Sequence, residues 1–117
     1  MVRSFGTALR ERRHAAGLSQ RQLAERAALD FSYISKIEND LLSAPAADTV
    51  VQICRVLGIP SGELLALAGK IPSQVREGVS TSPAAQDFLR EAQQMKLSDA
   101  EWMRMVSTLR RLRERQR

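Results

Sequence analysis

The sequence predicts an all-α protein, five short helices followed by a hinge and a two-helix hairpin. Three observations carry that prediction. Leu and Ala recur at steps of three and four, whereas Val, Ile, Thr and the aromatics never alternate over the length of a strand. The stretches "SQRQ" at Ser19–Gln22 and "SDAE" at Ser98–Glu101 are capping boxes, in which a Ser hydroxyl takes the third amide of a helix and a Gln or Glu reaches back. Gly17, Gly58 and Gly69 stand where the apolar rhythm breaks, as helix stops do.

The first helix is expected over Phe5 to Ala15, with Phe5, Ala8 and Leu9 on one apolar face. Ser19 opens the second, whose inner stripe is Leu23, Ala24 and Ala27. Asp30 is the N-cap of the third, from Phe31 to about Asn39, because its carboxylate suits the free amides and positive end of a helix. There Leu29, Ile34 and Ile37 face inward, and Phe31, Ser32, Tyr33, Ser35 and Lys36 are left toward solvent. A fourth helix spans Ala47 to Leu57, with Val50, Ile53, Cys54 and Leu57 on one side. Ser61 caps a fifth, with Leu64 and Leu65 inward. The Pro-, Gly- and Ser-rich stretch 71–82 then reads as a linker between a domain at 1–70 and a hairpin at 83–117, with room for a short helical turn after Pro72. Ser82-Pro83 begins the first hairpin helix by the Ser-cap, Pro-first pattern. Ser98 begins the second, where Trp102, Met105, Val106, Leu109 and Leu112 recur at helical spacing.

Composition narrows the function. The chain has 117 residues, 44% of them hydrophobic, and 18 Lys+Arg against 13 Asp+Glu, a formal +5 that favours an anionic partner. The excess is spread evenly, with 9 basic against 7 acidic residues before Ile71 and 9 against 6 after Lys70. The basic tail "RRLRERQR" is read either as a solvated helix end or as a non-specific DNA contact. One cysteine, Cys54, excludes an intrachain disulfide and a multi-Cys metal site, and its position predicts a core role. The N-terminus lacks an apolar run of signal-peptide length, and the apolar clusters are too short to span a bilayer. A cytoplasmic protein is expected, associated with a bacterial nucleoid and not with a membrane. With a single histidine, no glycine-rich phosphate loop and no Ser-Lys arrangement, no catalytic constellation forms, so neither an enzyme nor a cofactor or metal is expected.

Short helix, tight turn, short helix is a supersecondary unit that docks in the DNA major groove. "FGTALRERRHAAGLSQRQLAERAALDFSYISKIEN" resembles the Cro/C1-type (XRE-family) helix-turn-helix, and "VVQICRVLGIPSGELL" is similar to that family's closing helices. The blocks "GLSQ", "LA", "SYIS" and "IEN" fall at the family's mutual spacing over Phe5 to Ala68. The resemblance implies a lambda-repressor-like five-helix domain whose third helix enters the major groove of double-stranded DNA. Phe31, Ser32 and Lys36 then occupy base-reading positions. Ser19 and Gln20 fall where the family bonds phosphate, and Tyr33, Ser35 and Asn39 where it touches phosphate or sugar, Tyr33 being also placed to cap the core. Lys can donate to guanine O6/N7, Ser to either base type, and Phe can pack on a thymine methyl. Arg13 and Glu38 match a structural pair tying the first helix to the end of the third. The chain departs from the family where glycine is usual, at Ala28 in the turn and at Asp40 after the "IEN" block. Both positions call for a left-handed backbone, and Asp40 brings a negative charge toward the DNA backbone.

The hairpin follows from a second likeness, in layout, to SinR-like biofilm and sporulation repressors, which append a helical multimerisation hairpin to the same domain. Phe88, Leu89, Met95, Trp102, Met105, Val106, Leu109 and Leu112 are more apolar surface than two helices can bury alone, so this surface either packs back on the first domain or, as the favoured reading, pairs with a second copy. The reading is a homodimer or higher homo-oligomer that represses from a palindromic operator, half-sites about 34 Å apart. A protein antagonist at the hairpin is the other partner implied. The alternative is an antitoxin or bridging-type module whose hairpin binds a partner protein and which touches DNA secondarily.

Overall fold

The computed structural model describes residues 3–114, so the last three residues of the basic tail lie outside it. Among the described residues there are eight helices and no strand: α1 Phe5–Ala15, α2 Gln20–Arg26, α3 Phe31–Glu38, α4 Ala47–Leu57, α5 Gly62–Ala68, α6 Ser73–Ser80, α7 Pro83–Met95 and α8 Asp99–Leu112. The chain divides into two compact units, Met1–Arg76 and Glu77–Arg117.

In the first unit, α1 to α5 close on one core. Leu9, Leu23, Ile34, Ile37, Val50, Ile53 and Leu64 are fully buried, and Cys54 is packed among them. Helix ends follow local chemistry. Ser4 caps α1 by accepting from Thr7 N, both halves of the Ser19–Gln22 box are made, and Asp30 accepts from Ser32 N. Gly58 and Gly69 end α4 and α5 in the left-handed conformation. Ser61 precedes α5 as expected, but its backbone is helical and its hydroxyl makes no cap bond. Glu63 stands in that first turn, where a negative charge suits the helix dipole.

The two departures from glycine keep the left-handed backbone, with φ of 55° at Ala28 and 56° at Asp40. Ala28 is exposed, so nothing offsets the crowding of its Cβ against its own backbone. Ala28→Gly is therefore expected to stabilise the domain by about 0.5–1 kcal/mol, the left-handed penalty less the extra chain entropy of glycine. Urea unfolding measures this, and a lower midpoint for the variant would contradict it. Asp40, in contrast, earns its place. Its carboxylate folds back to accept from Gly6 N at 3.1 Å and from Ser4 Oγ at 2.8 Å, so its charge serves the N-terminus of α1.

The linker expected at 71–82 is largely helix. Asp48 of α4 accepts from both Ser73 N at 3.1 Å and Ser73 Oγ at 2.8 Å, which supplies α6 with a cap from 25 residues earlier. Those bonds hold the Asp48 carboxyl below its ordinary pKa. Lys70 Nζ donates to the carbonyls of Ala44 and Pro45 just before this point. The second unit takes the remainder of α6 with α7 and α8. Ser82 caps α7 with Pro83 in its first turn, and the Ser98–Glu101 box is complete at α8. Lys96 turns the chain between them with φ of 50°.

Candidate nucleic-acid interface

The apolar positions of α3 set its orientation. Ile34 and Ile37 are buried against α1 and α2, which turns Phe31, Ser32 and Lys36 outward. At its far end, Glu38 is buried and joined to Arg13 by two bonds: Nε to Oε2 at 2.6 Å and Nη2 to Oε1 at 2.9 Å. Arg13 Nη1 also donates to Leu18 O at 2.9 Å, and Gln20 Nε2 donates to Glu38 Oε1 at 3.1 Å. Burial opposes the charge on Glu38, but hydrogen bonds from Arg13 and Gln20 with the charges of Arg13 and Arg10 outweigh it, holding the carboxyl below its ordinary pKa. Arg10 adds bonds to Glu38 O at 3.2 Å and Asn39 Oδ1 at 2.7 Å. One charged cluster thus ties α1, the start of α2 and the end of α3 into a rigid frame.

The residues with expected backbone contacts divide. Ser19 is exposed; its oxygen accepts from Gln22 N, which leaves the hydroxyl proton for an acceptor. The amide nitrogen of Gln20 is turned inward to Glu38. Asn39 closes α3, its amide donating to Ser35 O while its oxygen takes Arg10. Tyr33 is half-buried against the core, and Ser35 is half-buried. His14 is exposed, near Arg13. Two residues of this surface carry no signal in the sequence, Arg10 and Arg21, whose guanidinium lies 4.4 Å from the ring centre of Phe31; the bonding role of Asp40 is a third feature the sequence does not show. Asp40 draws attention there only as a charge near DNA.

In the second unit, Phe88, Leu89, Met95, Trp102, Val106, Leu109 and Leu112 are exposed and Met105 is half-buried, whereas Ala92 is the one buried side chain among its described residues. Phe88, Trp102, Met105, Val106, Leu109 and Leu112 line an apolar groove of about 350 Å³. No group of three or more metal-ligating side chains occurs among the described residues, and no described helix is long and apolar enough to cross a membrane.

A short helix braced across a second, whose outer face is free, defines a helix-turn-helix domain. The helix-turn-helix domain family model matches residues 4–68, and the chain belongs to that family. It is 40% identical over 76 residues to the HTH-type transcriptional regulator RghRB of Bacillus subtilis, covering 62% of this chain and 55% of the relative. It is 36% identical over 83 residues to the HTH-type transcriptional regulator Rv0474 of Mycobacterium tuberculosis, covering 68% and 59%. The chain thus spans somewhat over half the length of these curated relatives. Among solved structures, SinR, the master regulator for biofilm formation, in complex with DNA, matches with a TM-score of 0.50 and 31% identity over 52% of this chain and 97% of that one. The SinR/SinI complex matches with a TM-score of 0.51 and 22% identity over 91% and 94%, a likeness of fold.

Proposed function

We propose that this protein is a sequence-specific DNA-binding transcriptional regulator, a dimer that represses by covering promoter DNA at a palindromic operator. The observation that carries it is α3 itself. One face is locked by Ile34, Ile37 and the Arg13–Glu38 pair, and the other leaves Phe31, Ser32 and Lys36 exposed. An α-helix fits the major groove, and these three side chains match base edges in size and polarity. Ser19 at the start of α2 is the backbone contact best prepared, while Gln20 and Asn39 would exchange an internal bond for a phosphate. The likeness to SinR in complex with DNA supports the same use of the domain.

Gel-shift titration on genomic fragments across salt concentrations tests the reading. A specific complex loses affinity linearly in log salt, with a slope near −0.9 per phosphate contact. Weak binding indifferent to sequence would overturn it. Lys36→Ala is expected to reduce affinity by about 1–3 kcal/mol and to relax preference at one base pair. An unchanged footprint and affinity would remove Lys36 from the reading set.

The dimer reading rests on the hairpin. With one buried side chain among its described residues, a unit of this size has too little core to hold itself together. Covering Trp102, Val106, Leu109 and Leu112 with the same face of a second copy supplies the missing burial. Deleting Pro83–Arg117 is expected to give a monomer by light scattering. A surviving dimer would place the interface elsewhere.

A further inference from the structure

Arg21 is an exposed residue in the first turn of α2, and its guanidinium sits 4.4 Å from the centre of the Phe31 ring at the first position of α3. Glu25 lies one turn along the same helix, the ordinary place for an ion pair. Yet Arg21 makes neither a salt bridge nor a side-chain hydrogen bond among the described residues. Its partner is the ring, at a distance where a cation is drawn to the negative face of an aromatic. Phe31 in turn is 36% exposed at the start of α3.

The stack has two consequences. Lying on a ring engages the face of a guanidinium and leaves the N–H groups at its edge free to point outward as a planar fork. It also limits the rotamers of a long side chain before any ligand arrives, which lowers the entropy lost on binding. The guanidinium is therefore held against the first residue of α3, at the N-terminal end of that helix. Guanine presents two acceptors, O6 and N7, to such a fork in the major groove.

We propose that Arg21 is a base-reading residue that takes the O6/N7 edge of a guanine, and that Phe31 both holds it there and packs on the methyl of a neighbouring thymine. The inference rests on the DNA-binding reading given above. It makes the specificity of α3 depend on a residue of α2, so the two side chains act as one reader.

Selection of bound DNA from a random library, followed by titration of the selected site and its single-base variants at several salt concentrations, tests it. Wild type is expected to require a guanine at one position. Arg21→Ala should lower affinity for that site about 10–100-fold, relax the guanine requirement, and change affinity for unrelated DNA little. Arg21→Lys keeps the charge and loses the fork, and should relax the same position. Phe31→Leu should relax that position together with the thymine position, and the double variant should lose less than the two single losses combined. Because Arg21 is exposed, circular dichroism should match wild type for both Arg21 variants. If Arg21→Ala weakens all sequences equally and keeps every preference, Arg21 is a phosphate anchor and the inference falls. It falls also if Arg21→Ala changes nothing. A wild-type protein that enriches no sequence overturns the regulator reading itself, a result distinct from both.

Discussion

Glu38→Ala is expected to destabilise the first unit by about 3–5 kcal/mol, the range for breaking a buried ion pair from one side. The carboxylate is fully buried, and the Arg13 side chain beside it is only 8% exposed. Without Glu38, the Arg13 guanidinium stays buried with the Leu18 carbonyl as its remaining backbone acceptor, and the Gln20 amide loses its partner as well. The loss comes less from a missing attraction than from a stranded charge. Replacing both residues together, Arg13→Met with Glu38→Leu, should therefore recover much of the stability lost by Glu38→Ala. Urea unfolding of the three proteins separates these statements. A double variant no better than Glu38→Ala would show that the pair stabilises by more than mutual neutralisation.

The same carboxylate fixes a pH dependence. Its folded pKa lies below the ordinary value of 4.5, so its contribution is fully present above that pH and is lost as pH falls through the folded value. The stability difference between wild type and Glu38→Ala should hold from neutrality to about pH 5 and then shrink toward acid. A difference that grows on acidification would contradict the assignment. DNA affinity should follow the same frame, because α3 is oriented through this pair.

What the sequence made legible was local. Ser19 with Gln22, and Ser98 with Glu101, announce helix starts within four residues, and the structure completes both boxes. The all-α class follows from such short-range patterns, and the helix-turn-helix family from a resemblance in short blocks that the family match over residues 4–68 bears out. What stayed hidden depends on residues distant in the chain. The start of α6 depends on Asp48, 25 positions before Ser73, so a Pro- and Ser-rich stretch with no visible cap reads as linker. Asp40 reads as a charge unwelcome near DNA until the fold brings it to Gly6 and Ser4, 34 and 36 positions earlier. Gln20 matches a phosphate-binding pattern, and only the buried Glu38 shows why its amide nitrogen turns inward. The Arg21–Phe31 stack likewise needs α2 and α3 already crossed. Local physics sets the elements, and the candidate site is made by contacts between them.

Gly6→Ala is the second large effect expected, and helix propensity alone gets its sign wrong. In the first turn of α1 alanine favours the helix over glycine by up to about 1 kcal/mol. Tertiary contact opposes that gain. A Cβ on Gly6 would lie 2.5 Å from Ile37 O, 2.6 Å from Glu38 O and 2.7 Å from Asp40 Oδ1. Two of these atoms are backbone carbonyls in the last turn of α3, so relief requires moving one helix away from the other. That movement would stretch the Asp40 bond to Gly6 N and disturb the Arg10 and Arg13 contacts to Glu38. A close-packed interior resists such a shift, and overpacking typically costs about 1–3 kcal/mol. Gly6→Ala is placed at the upper end, about 3 kcal/mol, with a fall in melting temperature of roughly 10–20 °C for a unit of this size. It should also weaken specific DNA binding in protein that is still folded, because α3 is displaced at the end where Glu38 and Asn39 anchor it. A variant as stable as wild type would mean that propensity had decided the outcome and that α1 and α3 separate at little cost. The sign of one measured unfolding free energy therefore decides whether the bare Cα at position 6 is what lets α1 seat α3.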